Sequence, residues 1–239
     1  DVCSSDLLNQ LLGFIGAHEW HKKGIDIPQL DGKIHVPFGV FSPLRGEYLD
    51  LIAQAPLAPH IQTAFDIGTG SGVIAAILAK RGIPDIIATD TNPKAIACAT
   101  TNLERLGLDK AISVQSIDLF TESCADLIVC NPPWLPAKPT SAIETALYDP
   151  NHAMLTAFLN GVRKHLNPNG EAWLIISDLA EHLHLRDKYF LNQCFQTASL
   201  NVVDILKTKP QHKKAIDESD PLAFARNKET TYLYRLKAI

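Results

Sequence analysis

Short apolar runs alternate through the middle of this chain with longer stretches whose apolar residues recur every three or four positions. Residues 64–67, 86–89, 112–115, 127–129 and 171–177 are runs of the first kind, and 72–81, 93–106, 153–165 and 180–197 are stretches of the second. Predominantly apolar runs this short predict strands buried on both faces, the condition of a parallel sheet covered by helices. Their alternation with helical stretches predicts a doubly wound α/β fold. Residues 202–206 and 231–236 add two strands with no clear helical period between them. The sheet is therefore expected to hold seven strands, mostly parallel, and to close with an antiparallel hairpin.

Ahead of this core, Leu7, Leu8, Leu11, Leu12 and Ile15 recur at helical spacing and predict an amphipathic helix over 7–20. Residues 33–41 read as extended, and 47–55 as a helix that Pro56 and Pro59 bring to an end. The chain is expected to divide into an N-terminal extension, 1–55, and a catalytic domain, 56–239. Residues 1–7 read Asp-Val-Cys-Ser-Ser-Asp-Leu, one frame of a common sequencing-adapter end, and are expected to be adapter read-through. A genomic copy of that stretch would refute this.

Composition narrows the class. The 239 residues, 46% of them hydrophobic, suffice for one sizeable core. Lys and Arg number 22 against 26 Asp and Glu, a formal net charge of -4, so the chain has no global attraction to phosphate backbones or anionic membranes, and a nucleic-acid partner would need a local patch. Cys98, Cys124, Cys130 and Cys194 form no Cys-x-x-Cys pair and no zinc spacing, which predicts a reduced, cytoplasmic protein without a metal. No apolar run approaches the ~18 residues of a membrane span.

The first candidate chemistry lies where the 64–67 strand runs into Gly68-Thr69-Gly70-Ser71-Gly72 and then a helix. Glycines at such a turn let a ligand approach the backbone. Asp90 ends the next strand, 22 residues after Gly68, where a carboxylate accepts the hydroxyls of a ribose. A dinucleotide site wants Gly-x-Gly-x-x-Gly, and the third required position here is Val73, which disfavours a nicotinamide-dependent oxidoreductase. Asp66, just before the turn, suits a cofactor with an ammonium group and no pyrophosphate. Asp66 and Asp90, together with the motif that follows, indicate S-adenosyl-L-methionine. Asp118, after the 112–115 strand, is a third strand-end carboxylate, placed to accept from the exocyclic amine of an adenine.

The second lies at the end of the 127–129 strand, in Asn131-Pro132-Pro133-Trp134. Amide and aromatic amine nitrogens are poor nucleophiles because their lone pairs are delocalised. An Asn side-chain oxygen and the Pro132 carbonyl can together accept both N–H bonds of an NH2 group and aim its lone pair. The two prolines fix φ and hold that carbonyl in place. Trp134 is expected to stack on the planar target.

In this order and spacing, Asp66-Ile67-Gly68-Thr69-Gly70-Ser71-Gly72, Asp90, Asp118-Leu119-Phe120 and Asn131-Pro132-Pro133-Trp134 carry a resemblance. Over about residues 40–178 the chain resembles the class I methyltransferases with the small methyltransferase domain, especially HemK-like glutamine methyltransferases acting on translation release factors. The resemblance implies a Rossmann-like methyltransferase fold and S-adenosylmethionine as cofactor. It further implies that Asp66, Gly68, Thr69, Gly70 and Gly72 line the methionine side of the cofactor, Asp90 holds the ribose, and Asp118 with Leu119 borders the adenine. Asn131 with Pro132 would hold the target nitrogen. HemK-like enzymes usually carry Tyr in place of Trp134, and their Pro-Arg-Pro-Glu-Thr signature is only loosely echoed by Ser42-Pro43-Leu44-Arg45-Gly46-Glu47.

The implied substrate is macromolecular: a protein glutamine, as in translation factors, or the exocyclic amine of adenine in RNA or DNA, which methyltransferases with the same motif modify. Similarity of 69–72, 118–120 and 144–148 to HemK-like enzymes leans toward glutamine. Lys207, Lys209, Lys213 and Lys214 favour nucleic acid, although Asp217, Glu218 and Asp220 follow directly. A non-catalytic subunit that keeps the cofactor fold is the remaining alternative, and the intact Asn131 motif speaks against it. His182 and His184 are two residues apart on an expected helix and cannot share a face as metal ligands.

Overall fold

A computed structural model describes residues 22–43, 46–136, 148–210 and 223–239. The helix expected over 7–20 lies outside the described residues, as do residues 1–7, Lys213, Lys214 and the acidic residues 217–220. The described chain opens with a small antiparallel pair, β1 (Ile25–Ile27) and β2 (Gly32–Ile34), joined by a 3-10 turn. Only the first two residues of the expected 33–41 extended segment belong to a strand.

Helix α1 (Glu47–Gln54) follows, and then the alternation expected from the sequence: β3 (Thr63–Ile67), α2 (Val73–Lys80), β4 (Asp85–Asp90), α3 (Pro93–Arg105), β5 (Ile112–Ser116), β6 (Ala125–Cys130), α4 (Ala153–His165) and β7 (Leu166–Ser177). Helices α5 (Leu179–His182) and α6 (Phe190–Thr197), strand β8 (Leu200–Thr208), the short α7 (Ala223–Arg226) and β9 (Thr231–Ala238) complete the described chain.

Seven strands form one sheet in the order β5-β4-β3-β6-β7-β9-β8. The first five are mutually parallel, while β9 runs antiparallel to both β7 and β8. The expected seven-stranded, mostly parallel sheet with a closing antiparallel pair is what forms, with β9 inserted between β7 and β8.

Alternate strand residues feed two cores. Ala64, Ile86, Leu127, Val129, Trp173 and Ile175 pack with α1 and α2, and residues of the 22–55 segment, among them Ile34 and Tyr48, join this same core. Phe65, Ile67, Ile128, Leu174 and Ile176 pack on the other face against α4 and α6 through Phe158, Leu159 and Phe195.

One expected element breaks. The helix read over 180–197 is two helices, because residues 183–189 turn away from the helical path. His184 adopts a left-handed conformation (φ 57°). Arg186 is buried: its guanidinium donates to the Ser177 carbonyl and pairs with Glu181 at 2.8 Å. Both segments carry apolar residues on one face, so the hydrophobic period runs on while the backbone does not.

Candidate active site

Three neighbouring strands end level with one another. Ile67 is the register partner of Thr89 in β4 and of Cys130 in β6. The residues that follow, Gly68, Asp90 and Asn131, therefore emerge side by side at the carboxyl edge of strands spaced about 4.8 Å apart. β4 lies on one side of β3 and β6 on the other, so the chain reverses its direction of travel across the sheet at β3. Ligands of open α/β sheets bind at such a switch point. The expected cofactor turn and the expected target motif therefore lie next to each other at this edge of the sheet.

The Gly68–Gly72 turn is braced from beneath. Asp66 is 0% exposed, and its Oδ2 accepts from the Thr69 hydroxyl (2.6 Å) and the Ala75 N–H (3.0 Å). Burial pushes its carboxyl up to about 6, against those two hydrogen bonds, with the Asp90 charge adding to the rise. Asp66 Oδ1 is buried and makes no hydrogen bond among the described residues. Gly72 (φ 81°) lies so close to α3 that a Cβ would stand 3.2 Å from the Ala99 Cα. Gly70 (φ 56°) instead faces open space, where a Cβ would meet nothing nearer than the Gly68 carbonyl oxygen at 4.0 Å. Over Gly68 lies the Met154 side chain, its methyl carbon 2.6 Å from where a Cβ would be.

Asp90 is half-buried, and its carboxylate accepts from the Gly70 N–H (2.9 Å) and the Asn92 N–H (2.8 Å). A carboxylate offers about four acceptor positions, so two remain. Asp118 is exposed just beyond β5. Leu119 beside it takes a left-handed φ of 57°, with its carbonyl accepting from the Thr89 hydroxyl at 2.8 Å. Thr89 thus joins the ends of β4 and β5, and its own carbonyl accepts from the Thr69 N–H at 2.9 Å.

In the second motif Pro132 is buried, and Asn131, Pro133 and Trp134 are half-buried. The Trp134 ring packs against both cores, and its indole N–H donates to Asn131 Oδ1 at 2.9 Å. Just beyond, Leu135 bridges Tyr148, and the Asp149 N–H donates to the Leu135 carbonyl at 2.8 Å. The buried Asp149 carboxylate accepts from the Met154 and Leu155 N–H groups at 2.8 and 3.0 Å, satisfying the start of α4 and holding it beside the motif.

Several residues that shape the site have no role in the sequence reading. Asn102 is buried in α3; its amide accepts from the His35 N–H (2.9 Å) and donates to the His35 and Ser71 carbonyls (both 3.0 Å), tying the 22–43 segment to the glycine turn. At the end of β7, Ser177 donates to the buried Glu229 at 2.6 Å, and Asp178 accepts from the Thr230 N–H at 2.7 Å, anchoring the start of β9 at this edge. Of these only Asp149, in an Asp-Pro pair ahead of a helical period, has a sequence signal. Asn102, Ser177 and Asp178 serve partners distant along the chain, backbone groups for Asn102 and Asp178 and the Glu229 carboxylate for Ser177. His182 lies 3.4 Å from Asp178, and among the described residues no group of three or more His, Cys, Asp and Glu is placed to hold a metal. Nor is any described helix long and apolar enough to cross a membrane.

Comparison with known proteins gives the family and supports the fold. The chain is 35% identical to the tRNA1(Val) (adenine(37)-N6)-methyltransferase of Cytophaga hutchinsonii over 52% of its own length and 56% of the relative's. It is 34% identical to the release factor glutamine methyltransferase of Cereibacter sphaeroides over 52% of its length and 50% of the relative's. The chain thus spans about half the length of these curated relatives. A methyltransferase from Pyrococcus furiosus shares the fold with a TM-score of 0.56 at 17% identity, covering 98% of this chain and 100% of that one. A Thiobacillus denitrificans S-adenosylmethionine-dependent methyltransferase, solved with S-adenosyl-L-homocysteine, does so with a TM-score of 0.57 at 15% identity, covering 84% and 95%. Residues 33–205 match the family described as the methyltransferase small domain, and the chain belongs to that family.

Proposed function

We propose that this protein binds S-adenosylmethionine and transfers its methyl group to a planar amide or amino nitrogen of a macromolecule, a protein glutamine side chain being the favoured target. The observation that carries this reading is the level ending of β3, β4 and β6, which sets Gly68, Asp90 and Asn131 side by side at the switch point. The site fits the cofactor on two counts. Gly70 leaves space for a ligand against the backbone, and the orphaned Asp66 Oδ1 is an acceptor a cationic group would satisfy. Asp66, Gly68, Thr69, Gly70 and Gly72 take the methionine side, the two remaining acceptor positions of Asp90 take the ribose, and Asp118 and Leu119 border the adenine. When bound, the cofactor supplies an electrophilic methyl on a sulfonium.

The protein's part is to make a weak nucleophile ready. Asn131 Oδ1 and the Pro132 carbonyl each accept one N–H of the target, which turns the nitrogen lone pair outward and fixes its direction. Holding the target in this way supplies several kcal/mol of the barrier, on the order of what orientation contributes elsewhere. No acid or base need touch the nitrogen before transfer.

Support for glutamine comes from relatives named release factor glutamine methyltransferase and ribosomal protein uL3 glutamine methyltransferase. The adenine reading rests on the Cytophaga relative and on Lys207 and Lys209 at the end of β8, which closes at the same edge as β7. The test is transfer from methyl-labelled S-adenosylmethionine into a cell extract, followed by separate protease and nuclease digestion. Release of label by protease alone supports glutamine; release by nuclease alone rejects it in favour of adenine. Undiminished transfer by an Asn131→Ala variant would remove Asn131 from the mechanism.

A further inference from the structure

The Trp134 indole N–H is spent on Asn131, 2.9 Å away, and its ring is half-buried against both cores. An Asn amide has two ends that are nearly alike in shape and opposite in chemistry: the oxygen accepts and the NH2 donates. An amide that receives both a target N–H and an indole N–H must hold its oxygen where both can reach it. The reversed amide would set its NH2 group against the indole N–H, donor against donor, and would offer the target no acceptor. The carbonyl oxygen has two lone pairs, so one bond to Trp134 leaves one for the target.

We propose that Trp134 is a positioning residue whose indole N–H fixes the Asn131 amide with its oxygen available to the target nitrogen. This rests on the role given to Asn131 above. It makes the identity of the aromatic residue matter, since a ring without an N–H fills the same space and leaves the amide free to reverse. Trp134 then acts on turnover through Asn131 and leaves cofactor binding alone.

The test replaces Trp134 with benzothienylalanine, introduced at that one codon, which keeps the shape of the indole and substitutes sulfur for the N–H. Trp134→Phe is the second variant. Both are expected to bind S-adenosylhomocysteine within about twofold of the parent and to transfer label into the same extract roughly tenfold more slowly, the loss of one hydrogen bond in the reacting complex. In protein carrying 15N-indole tryptophan, the Trp134 N–H resonance, assigned by its disappearance in Trp134→Phe, is expected to move in Asn131→Ala. Transfer at the parent rate by the benzothienyl protein would overturn the proposal, as would a Trp134 resonance unmoved by Asn131→Ala. The resonance is read without substrate. A parent protein that labels nothing therefore counts against the functional reading, whereas an unmoved resonance counts against this one.

Discussion

Replacing Asp66 with Asn should stabilise the cofactor-free protein at neutral pH while impairing its site. The Asp66 carboxyl is fully buried, and burial raises it from 3.8 to about 6. An acid raised on folding favours the folded state when protonated, so its contribution is fully present below the unfolded value and is lost as pH rises through the folded one. With these two values, the parent should lose about 1.4 kcal/mol between pH 5 and 7.5 from this group alone, and about 2.4 kcal/mol between pH 4 and 7.5. Asp66→Asn has no such loss. It keeps an oxygen to accept from Thr69 and Ala75 but puts an NH2 where Oδ1 makes no hydrogen bond, at a cost of about 1–2 kcal/mol. The variant should therefore gain on the parent as pH rises. Urea unfolding of both proteins at pH 5 and 7.5, followed by circular dichroism without cofactor, measures the difference and cancels every other titrating group. A difference that stays flat, or that moves in the parent's favour with rising pH, would refute a raised Asp66.

Other expectations follow from buried polar groups and close contacts. Asn102→Ala removes three hydrogen bonds that tie His35 and Ser71 to α3, and should cost roughly 2 kcal/mol in urea unfolding and weaken S-adenosylhomocysteine binding in titration. Arg235→Ala strips the buried Glu171 of its closest cation, 2.9 Å away, and should cost about 3 kcal/mol; in an Arg235→Ala, Glu171→Gln double variant most of that loss should be recovered. Gly72→Ala combines a left-handed backbone with a 3.2 Å approach to Ala99, and a melting temperature lower by several degrees is expected, consistent with about 2 kcal/mol.

The fold was legible because most of the parallel strands carry an apolar run and each covering helix has its own period; β5, Ile-Ser-Val-Gln-Ser with only Ile112 buried, is the weakest of them. Residues 93–106 and 153–165, read as helices, differ from α3 and α4 by at most one residue. The failures are places where a polar side chain, not a hydrophobic period, decides the path. Arg186 turns the chain between α5 and α6 by reaching a backbone carbonyl of β7, and nothing in the spacing of Leu179, Leu191 and Phe195 reports it. Strand β7 starts five residues before its apolar run, through Asn169 in a left-handed conformation (φ 67°) and a register shift against β6. At the site, the glycines and strand-end carboxylates announce themselves by position. Thr89 and Asn102 do not, because their partners are main-chain groups brought near only by folding. The sequence predicts for Trp134 only a ring face toward the target. The structure adds an edge, the indole N–H on Asn131, which no spacing rule encodes.

The S-adenosylmethionine site proposed at Gly68, Asp90 and Asn131 can be probed by calorimetric titration with S-adenosylhomocysteine. One molecule should bind per chain, and Asp90→Ala should weaken binding by about tenfold or more through loss of its ribose acceptors while leaving the circular dichroism spectrum unchanged. Absence of binding to the folded parent would remove the cofactor site from this edge of the sheet, and equal affinity in Asp90→Ala would remove Asp90 from it.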